Sequence, residues 1–207
     1  MNLIGRHARA GGTLLDLGAA GGELGSAVRK HFRRTLGFEY QLDCLADLRS
    51  RFDQVLVTDL EKLKRLPERM DAIVCADVIE HLRDAPALLR LARKALSDDG
   101  HLFVSVPNIA NITVRLGLLF GVFEYRDRGI LDNTHLRFYT LRTIRRELEN
   151  AGFEIVTVRG SSIPIRLIIG RFTPDPILRA GEKILTIITR LWLSLFAYQV
   201  IVVARRT

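Results

Sequence analysis

The sequence predicts an α/β fold with a parallel sheet, and three observations carry that expectation. Short apolar runs of strand length alternate with amphipathic stretches of helix length, the pattern of repeated β–α–β units with right-handed crossovers. The first two runs end on acids, Asp16 and Glu39, and Asp59 follows the third closely. Between the first run and the first helical stretch lies Gly18-Ala19-Ala20-Gly21-Gly22, where the backbone can turn tightly and approach a ligand with no Cβ in the way. In parallel sheets ligands bind just past the carboxyl ends of the strands, which is where this turn sits. A carboxylate at Asp16 would repel phosphates, so the turn suits a ligand that carries an ammonium group and neutral hydroxyls.

The elements follow in order. Thr13–Leu17 reads as the first strand and Glu23–His31 as the helix after the glycine turn. Arg34–Glu39 is the second strand, followed by a helix over Asp43–Arg51 and a short strand, Gln54–Val57. Asp71–Ala76 is almost uniformly apolar, as expected of a strand buried on both faces. Asp84 is an N-cap, with Pro86 in the first turn of a helix that runs to about Leu96. Asp98-Asp99-Gly100 breaks that helix, and His101–Val106 is the fifth strand. Thr140 caps a helix to Asn150, which Ala151-Gly152 ends. Phe153–Arg159 is the sixth strand and Ala197–Ala204 the last.

Two stretches interrupt the alternation. Residues 107–139 form an insert whose apolar segment, Ile112–Phe123, has Arg115 as its only cation. Residues 160–196 contain a basic amphipathic segment. Arg179, Glu182, Lys183, Thr186, Thr189 and Arg190 fall on one side, and Ile177, Ile184, Ile188, Leu191 and Leu195 on the other. Such a helix either packs on the sheet or lies on a membrane surface. The uncharged run from Leu191 to Ala204 is 14 residues, too short to span a bilayer, which takes ~20.

A chain of 207 residues is expected to form one domain over its whole length. With 48% hydrophobic and 26% charged residues it reads as a folded cytoplasmic protein, peripheral to a membrane if the amphipathic helix touches one. Met1 to Arg9 lacks the apolar stretch of a signal peptide. Cys44 and Cys75 match no disulfide or metal spacing, and no metal is expected. The net charge is +8, and residues 160–207 hold +5 of it. A basic balance favours anionic partners: phosphorylated molecules, acidic lipids or nucleic acid.

Beyond the first turn, two further motifs stand out: Asp71-Ala-Ile-Val-Cys-Ala-Asp77-Val-Ile-Glu80-His81-Leu82 and Gly129-Ile-Leu-Asp132-Asn-Thr-His135-Leu-Arg137-Phe-Tyr-Thr140. With the turn, they make the chain resemble the class I S-adenosylmethionine-dependent methyltransferases. The likeness is to the branch of ubiquinone-biosynthesis O-methyltransferases and polysaccharide-pathway methyltransferases. It implies a Rossmann-like, doubly wound, seven-stranded sheet, mostly parallel with an antiparallel last strand, binding S-adenosylmethionine. Asp16, Gly18, Ala20 and Gly22 would then face the methionine part of the cofactor. Glu39, 23 residues after Asp16, would accept hydrogen bonds from the ribose hydroxyls, by the logic of dinucleotide-binding folds. Asp59 would lie near the adenine, and Asp77 at the same sheet edge. The chain departs from the pattern at Ala20, where glycine is usual. The absence of Gly-x-Gly-x-x-Gly from this turn disfavours a nicotinamide cofactor.

On the acceptor side, His81 and His135 are the candidate catalytic bases, because an imidazole pKa of ~6.5 suits proton transfer near neutrality. Asn108, Tyr125, Arg126 and Arg137 are candidate substrate contacts, and the arginines of the insert, Arg128 included, favour an anionic acceptor. The expected reaction is O-methylation of a small-molecule, glycan or lipid-linked acceptor. An RNA methyltransferase is the first alternative, weakened by dispersed basic residues and little aromatic interleaving for base stacking. A non-catalytic cofactor-binding scaffold is the second, motivated by Ala20 and the short stretch before the first strand.

Overall fold

The structure is a computed structural model that describes residues 3–166, 170–171 and 173–207. Residues 167–169 and 172 of the expected amphipathic segment lie outside the described residues. The strands are β1 (Gly12–Leu17), β2 (Phe32–Glu39), β3 (Gln54–Val57), β4 (Met70–Ala76), β5 (Leu96–Pro107), β6 (Phe153–Ser161) and β7 (Gln199–Arg206). They form one seven-stranded sheet in the order β3-β2-β1-β4-β5-β7-β6. β7 runs antiparallel between β5 and β6, and all other neighbours are parallel.

The apolar runs become central strands because both of their faces are covered. All six residues of β1 are buried. The larger layer packs Leu15, Leu17, Ile73 and Val104 against helix α4 (Ala85–Ala95) and helix α6 (Leu141–Asn150). The smaller layer packs Leu14, Val74, Phe103 and Val203 against helix α1 (Ile4–His7) and helix α2 (Glu23–Val28). Each fully buried leucine or isoleucine contributes about 1.5–3 kcal/mol relative to exposure. Asp84 caps α4 by accepting from the Ala87 amide at 2.9 Å, and Thr140 and Thr143 form a reciprocal capping box on α6.

Several boundaries differ from the sequence expectation: β7 spans Gln199–Arg206 against Ala197–Ala204 and the helix after β2 starts at Leu45 against Asp43, and two further differences bear on the local structure. α2 ends at Val28, and a tight turn over Arg29–His31 leads into β2 two residues early. β5 begins at Leu96, which pairs with Met70 before the register shifts to Ala72 beside His101. Asp98-Asp99-Gly100 is therefore absorbed into the strand as an irregularity. A Cβ on Gly100 would lie 2.6 Å from the Met70 carbonyl oxygen, which explains the glycine there.

The insert starts with helix α5 (Ile112–Leu119), capped by Asn111. Asn108 and Asn111 are both fully buried. The Asn108 amide donates to the Ala197 carbonyl at 2.9 Å and to that of Ser194 at 3.2 Å, and its oxygen accepts from Ala110 N at 3.1 Å. Asn111 donates to the same Ala197 carbonyl at 2.9 Å and accepts from Thr113 N at 3.0 Å. This corrects the expectation that Asn108 contacts substrate: its donors and acceptor are engaged, and it ties the end of β5 to the entry of β7. Helix α3 (Leu45–Arg51) follows β2, and helix α7 (Asp175–Leu191) lies in the second irregular stretch. No helix among the described residues is long and apolar enough to cross a membrane.

Asn108→Ala is expected to destabilise the fold by about 2–3 kcal/mol, because buried backbone groups lose their partner. Urea denaturation measures this, and an unchanged midpoint would show that the asparagine is dispensable.

Candidate active site

The site is assembled at the carboxyl edge of β1, β2 and β4. Asp16 is 2% exposed. Burial, and then the charge of Glu39, push its pKa up to about 7, and no donor offsets them. Glu39 is also buried, but its carboxylate is well served. One oxygen accepts from Ala20 N at 2.7 Å, and the other from Tyr40 N at 2.7 Å and Gln41 N at 2.9 Å. Glu39 thus holds the glycine turn against the loop after β2, with about one of its four lone-pair positions left for a ligand.

The turn is bent by Gly18 at φ 72°, Ala20 at φ 46° and Gly22 at φ 82°. Gly18 is required on a second count: a Cβ there would meet Val78 Cγ2 at 2.5 Å, so the turn presses directly on the segment after β4. Ala20 sits where glycine is at ease and an L side chain is strained, which gives a physical content to its departure from the usual pattern. Asp59 follows Thr58, whose amide donates to the Glu39 carbonyl at 2.8 Å. It caps the turn Leu60–Lys62 by accepting from Glu61 N at 3.0 Å and pairs with Lys62 at 3.1 Å.

Asp77 also has a left-handed backbone, φ 53°. Its carboxylate accepts from Gln199 of β7 at 2.6 Å and from Ser105 of β5 at 3.3 Å. Burial still raises its pKa, against the effect of those two bonds and of His135 and His81 nearby. A cavity of about 570 Å³ opens beside it, lined also by Leu24, Ala27 and Ala76.

The two motifs that follow β4 and β5 meet here. The amides of Leu136 and Arg137 both donate to the Glu80 carbonyl, at 2.9 and 3.1 Å. The Arg137 guanidinium donates to the carbonyls of Leu82 at 3.3 Å and Arg83 at 2.5 Å. Arg137 is therefore a brace between the two segments. The brace brings the rings of His81 and His135 to 4.8 Å, edge to face. His81 Nδ1 lies 3.3 Å from the Thr134 carbonyl and 3.1 Å from Thr134 Oγ1, which itself donates to Asp132 at 2.6 Å. His135 Nδ1 lies 3.2 Å from the Ile130 carbonyl. These acceptors assign the proton of each neutral ring to Nδ1 and leave Nε2 as a free base. Burial and the neighbouring His81 lower the His135 pKa.

Glu80 completes the cluster. Its carboxylate is buried and, among the described residues, takes no hydrogen bond from any other residue. Burial raises its pKa to about 8, against the pull of its own backbone amide. Donor atoms of Glu80, His81 and His135 all lie within 4.8 Å of one another, a set that could hold a metal ion where the sequence suggested none. Glu80 was legible only as one acid in a motif, since its burial depends on the segment that returns from Leu136.

The remaining candidates sit on the insert. Tyr125 is exposed, edge to face with Phe123 at 5.5 Å. Arg126 borders a cavity of about 190 Å³ together with Arg128, Ile130 and Tyr198. Ile130 joins this cavity to the histidine cluster, because its carbonyl holds His135.

The chain matches the methyltransferase domain family over residues 2–158, and it belongs to that family. It is 27% identical over 161 residues to a ubiquinone biosynthesis O-methyltransferase of Cupriavidus pinatubonensis, covering 73% of this chain and 64% of that protein. It is 27% identical over 159 residues to the human mitochondrial ubiquinone biosynthesis O-methyltransferase, covering 71% of this chain and 42% of that protein. The chain thus spans less than two thirds of these relatives' length. A solved S-adenosylmethionine-dependent methyltransferase from Archaeoglobus fulgidus shares the fold, with a TM-score of 0.66 at 18% identity over 97% of this chain and 89% of that one.

Family membership implies S-adenosylmethionine, and the residues present fit it. The buried Asp16 carboxylate has no donor and sits beside a turn that admits no side chain at Gly18, so an ammonium group there would meet its missing partner. The remaining acceptor capacity of Glu39 suits a hydroxyl.

Without ligand, Asp16 makes stability fall as pH rises. The unfolded chain releases this proton near the ordinary aspartate value while the folded chain keeps it to about 7, so the contribution is full below about pH 4 and lost as pH rises to about 7, at no more than about 1.4 kcal/mol per pH unit. Thermal melts across this range should show that slope reduced in Asp16→Asn; equal slopes would mean that Asp16 ionises normally. Ala20→Gly should leave the melting temperature unchanged or raise it, since relief of a strained φ of about 1–2 kcal/mol outweighs about 0.5–1 kcal/mol of glycine entropy.

Proposed function

We propose that this chain transfers a methyl group from S-adenosylmethionine to an oxygen of a small-molecule, glycan or lipid-linked acceptor that carries negative charge. The observation that carries the reading is the pressing of the glycine turn, with its buried Asp16, onto the segment that carries His81, whose ring pairs with that of His135. S-adenosylmethionine supplies an electrophilic methyl on a sulfonium centre. Asp16 would hold its ammonium group, Glu39 a ribose hydroxyl, and the Gly18–Gly22 backbone would line its methionine part.

The chain's own task is to position and deprotonate the acceptor. His81 and His135 have Nδ1 committed to backbone carbonyls, so Nε2 of either ring can take a hydroxyl proton. Methyl transfer depends mainly on alignment and exclusion of water, so one weak base suffices. Arg126 and Arg128, beside the smaller cavity, supply positive charge for an anionic acceptor. The ubiquinone-pathway names of two relatives support an oxygen nucleophile.

A second reading of the same step rests on Glu80. A buried carboxylate with no donor beside two imidazole bases has the chemistry to hold a divalent cation, which would acidify the acceptor hydroxyl directly.

Isothermal titration of S-adenosylmethionine into the purified chain should show binding that Glu39→Ala weakens at least tenfold. His81→Ala and His135→Ala should keep cofactor affinity while lowering methyl transfer by roughly 10²–10⁴-fold. No cofactor binding by the intact chain would favour the scaffold reading. Loss of transfer on chelation, restored by added cation, would decide for the metal-assisted step over a simple histidine base.

A further inference from the structure

α7 carries on its outer side what the sequence left undecided. At ~100° per residue, Ile177, Ile184, Ile187 and Leu191 fall within an arc of about 80°. Their exposures are 62, 56, 56 and 82%. Arg179, Lys183 and Arg190 occupy an adjoining arc of about 40°, all exposed. The inner side is the opposite one. Leu178 and Thr189 are buried, Gly181 lies against Ile165, and the Thr189 methyl meets Gly160 of β6. The two acids of the helix are turned away from the apolar stripe and paired at the surface: Arg166 bridges Asp175 at 2.7 Å and Glu182 at 3.0 Å. Among the described residues Lys183 and Arg190 form no ion pair, and Arg179 reaches only the already paired Asp175. Trp192, 60% exposed, stands at the end of the apolar stripe.

We propose that α7 docks on an anionic lipid bilayer, with the Ile177–Leu191 stripe and Trp192 entering the headgroup boundary and Arg179, Lys183 and Arg190 lying on lipid phosphates. Charge decides the occupant. A second copy packing antiparallel on this face about a two-fold axis would set basic stripe against basic stripe, and a parallel one would leave both basic stripes without anions. A nucleic acid would satisfy the cations but leave the isoleucine stripe in water. A bilayer of acidic lipids matches both stripes at once, apolar side down and cations at headgroup level, with the tryptophan ring at the interface. The surface is independent of methyl transfer, and its test uses no methyl donor.

The chain's single tryptophan makes the test direct. The intact protein is mixed with vesicles of phosphatidylcholine alone, or with about one third phosphatidylglycerol. Flotation with the anionic vesicles only, a blue shift of Trp192 emission and release in high salt are expected. Arg179→Gln with Lys183→Gln and Arg190→Gln should lower partitioning roughly 100-fold. Ile184→Ser with Ile187→Ser and Leu191→Ser should abolish the blue shift. Both variants alter exposed positions, so their melting temperatures should match the parent, which separates lost docking from lost folding. Equal binding to neutral vesicles, or either variant partitioning like the parent, would overturn the proposal. A concentration-dependent shift of Trp192 without vesicles would overturn it in favour of a second copy. Binding to single-stranded RNA that the serine variant retains, without vesicle binding, would overturn it in favour of nucleic acid.

Discussion

Three carboxylates, Asp16, Glu39 and Glu80, are drawn out of water at one edge of the sheet with the more exposed Asp77 beside them, and the local structure is arranged around their desolvation. Like charges in a poorly solvated edge need donors, or they stay protonated. Glu39 is served by three backbone amides, which is why the turn after β1 and the loop after β2 are held together. Asp77 is served by Ser105 and Gln199, a bond that reaches across β5 to β7. Among the described residues, no other residue donates a hydrogen bond to Asp16 or Glu80. The same physical deficit therefore appears at two neighbouring points, on either side of the contact between Gly18 and Val78. One is placed for a cationic ligand group and the other stands beside two bases. A buried polar group that lacks a partner costs stability, so its persistence is best explained by a ligand that supplies one.

The elements that sequence reading located well are those whose determinants are local. β1, β3 and β4 are short apolar runs with acids or turns at their ends, and Asp84 and Thr140 cap helices through bonds three residues away. The start of β5 was missed because Leu96 joins the sheet only through its pairing with Met70, 26 residues earlier. Asn108 was misassigned for the same reason. A polar residue after a strand looks free to meet substrate until the carbonyl of Ala197 is known to claim it. Glu80 was visible as an acid, but its burial was not, since the amides of residues 136 and 137 close over its segment from a separate motif. In α7 the period was legible and the direction was not. An amphipathic pattern fixes which residues share a side, while the neighbouring elements decide which side turns inward.

The two irregular stretches, the insert and the segment around α7, are joined physically. Asn108 and Asn111 at the head of the insert both donate to the Ala197 carbonyl, and Asn111 also lies 3.3 Å from that of Phe196. Phe196 in turn lies edge to face with Trp192 at the end of α7, and Thr189 Oγ1 sits 3.4 Å from the Phe196 carbonyl. From Ala197 the chain passes directly to Tyr198, which lines the smaller cavity beside Arg126, and to Gln199, which orients Asp77. A load or restraint applied at α7 is thus carried by buried amide bonds to the floor of the acceptor side. The two bonds to the Ala197 carbonyl are 2.9 Å and buried, which is the condition under which a polar network holds its groups rigidly. If α7 rests on a bilayer, the height of the acceptor cavity above that surface is fixed by the fold, with no flexible linker between them. An acceptor whose reactive oxygen sits near lipid headgroups would then meet His81 and His135 by diffusion in two dimensions. This gives the apolar stripe of α7 a purpose that packing alone leaves unexplained.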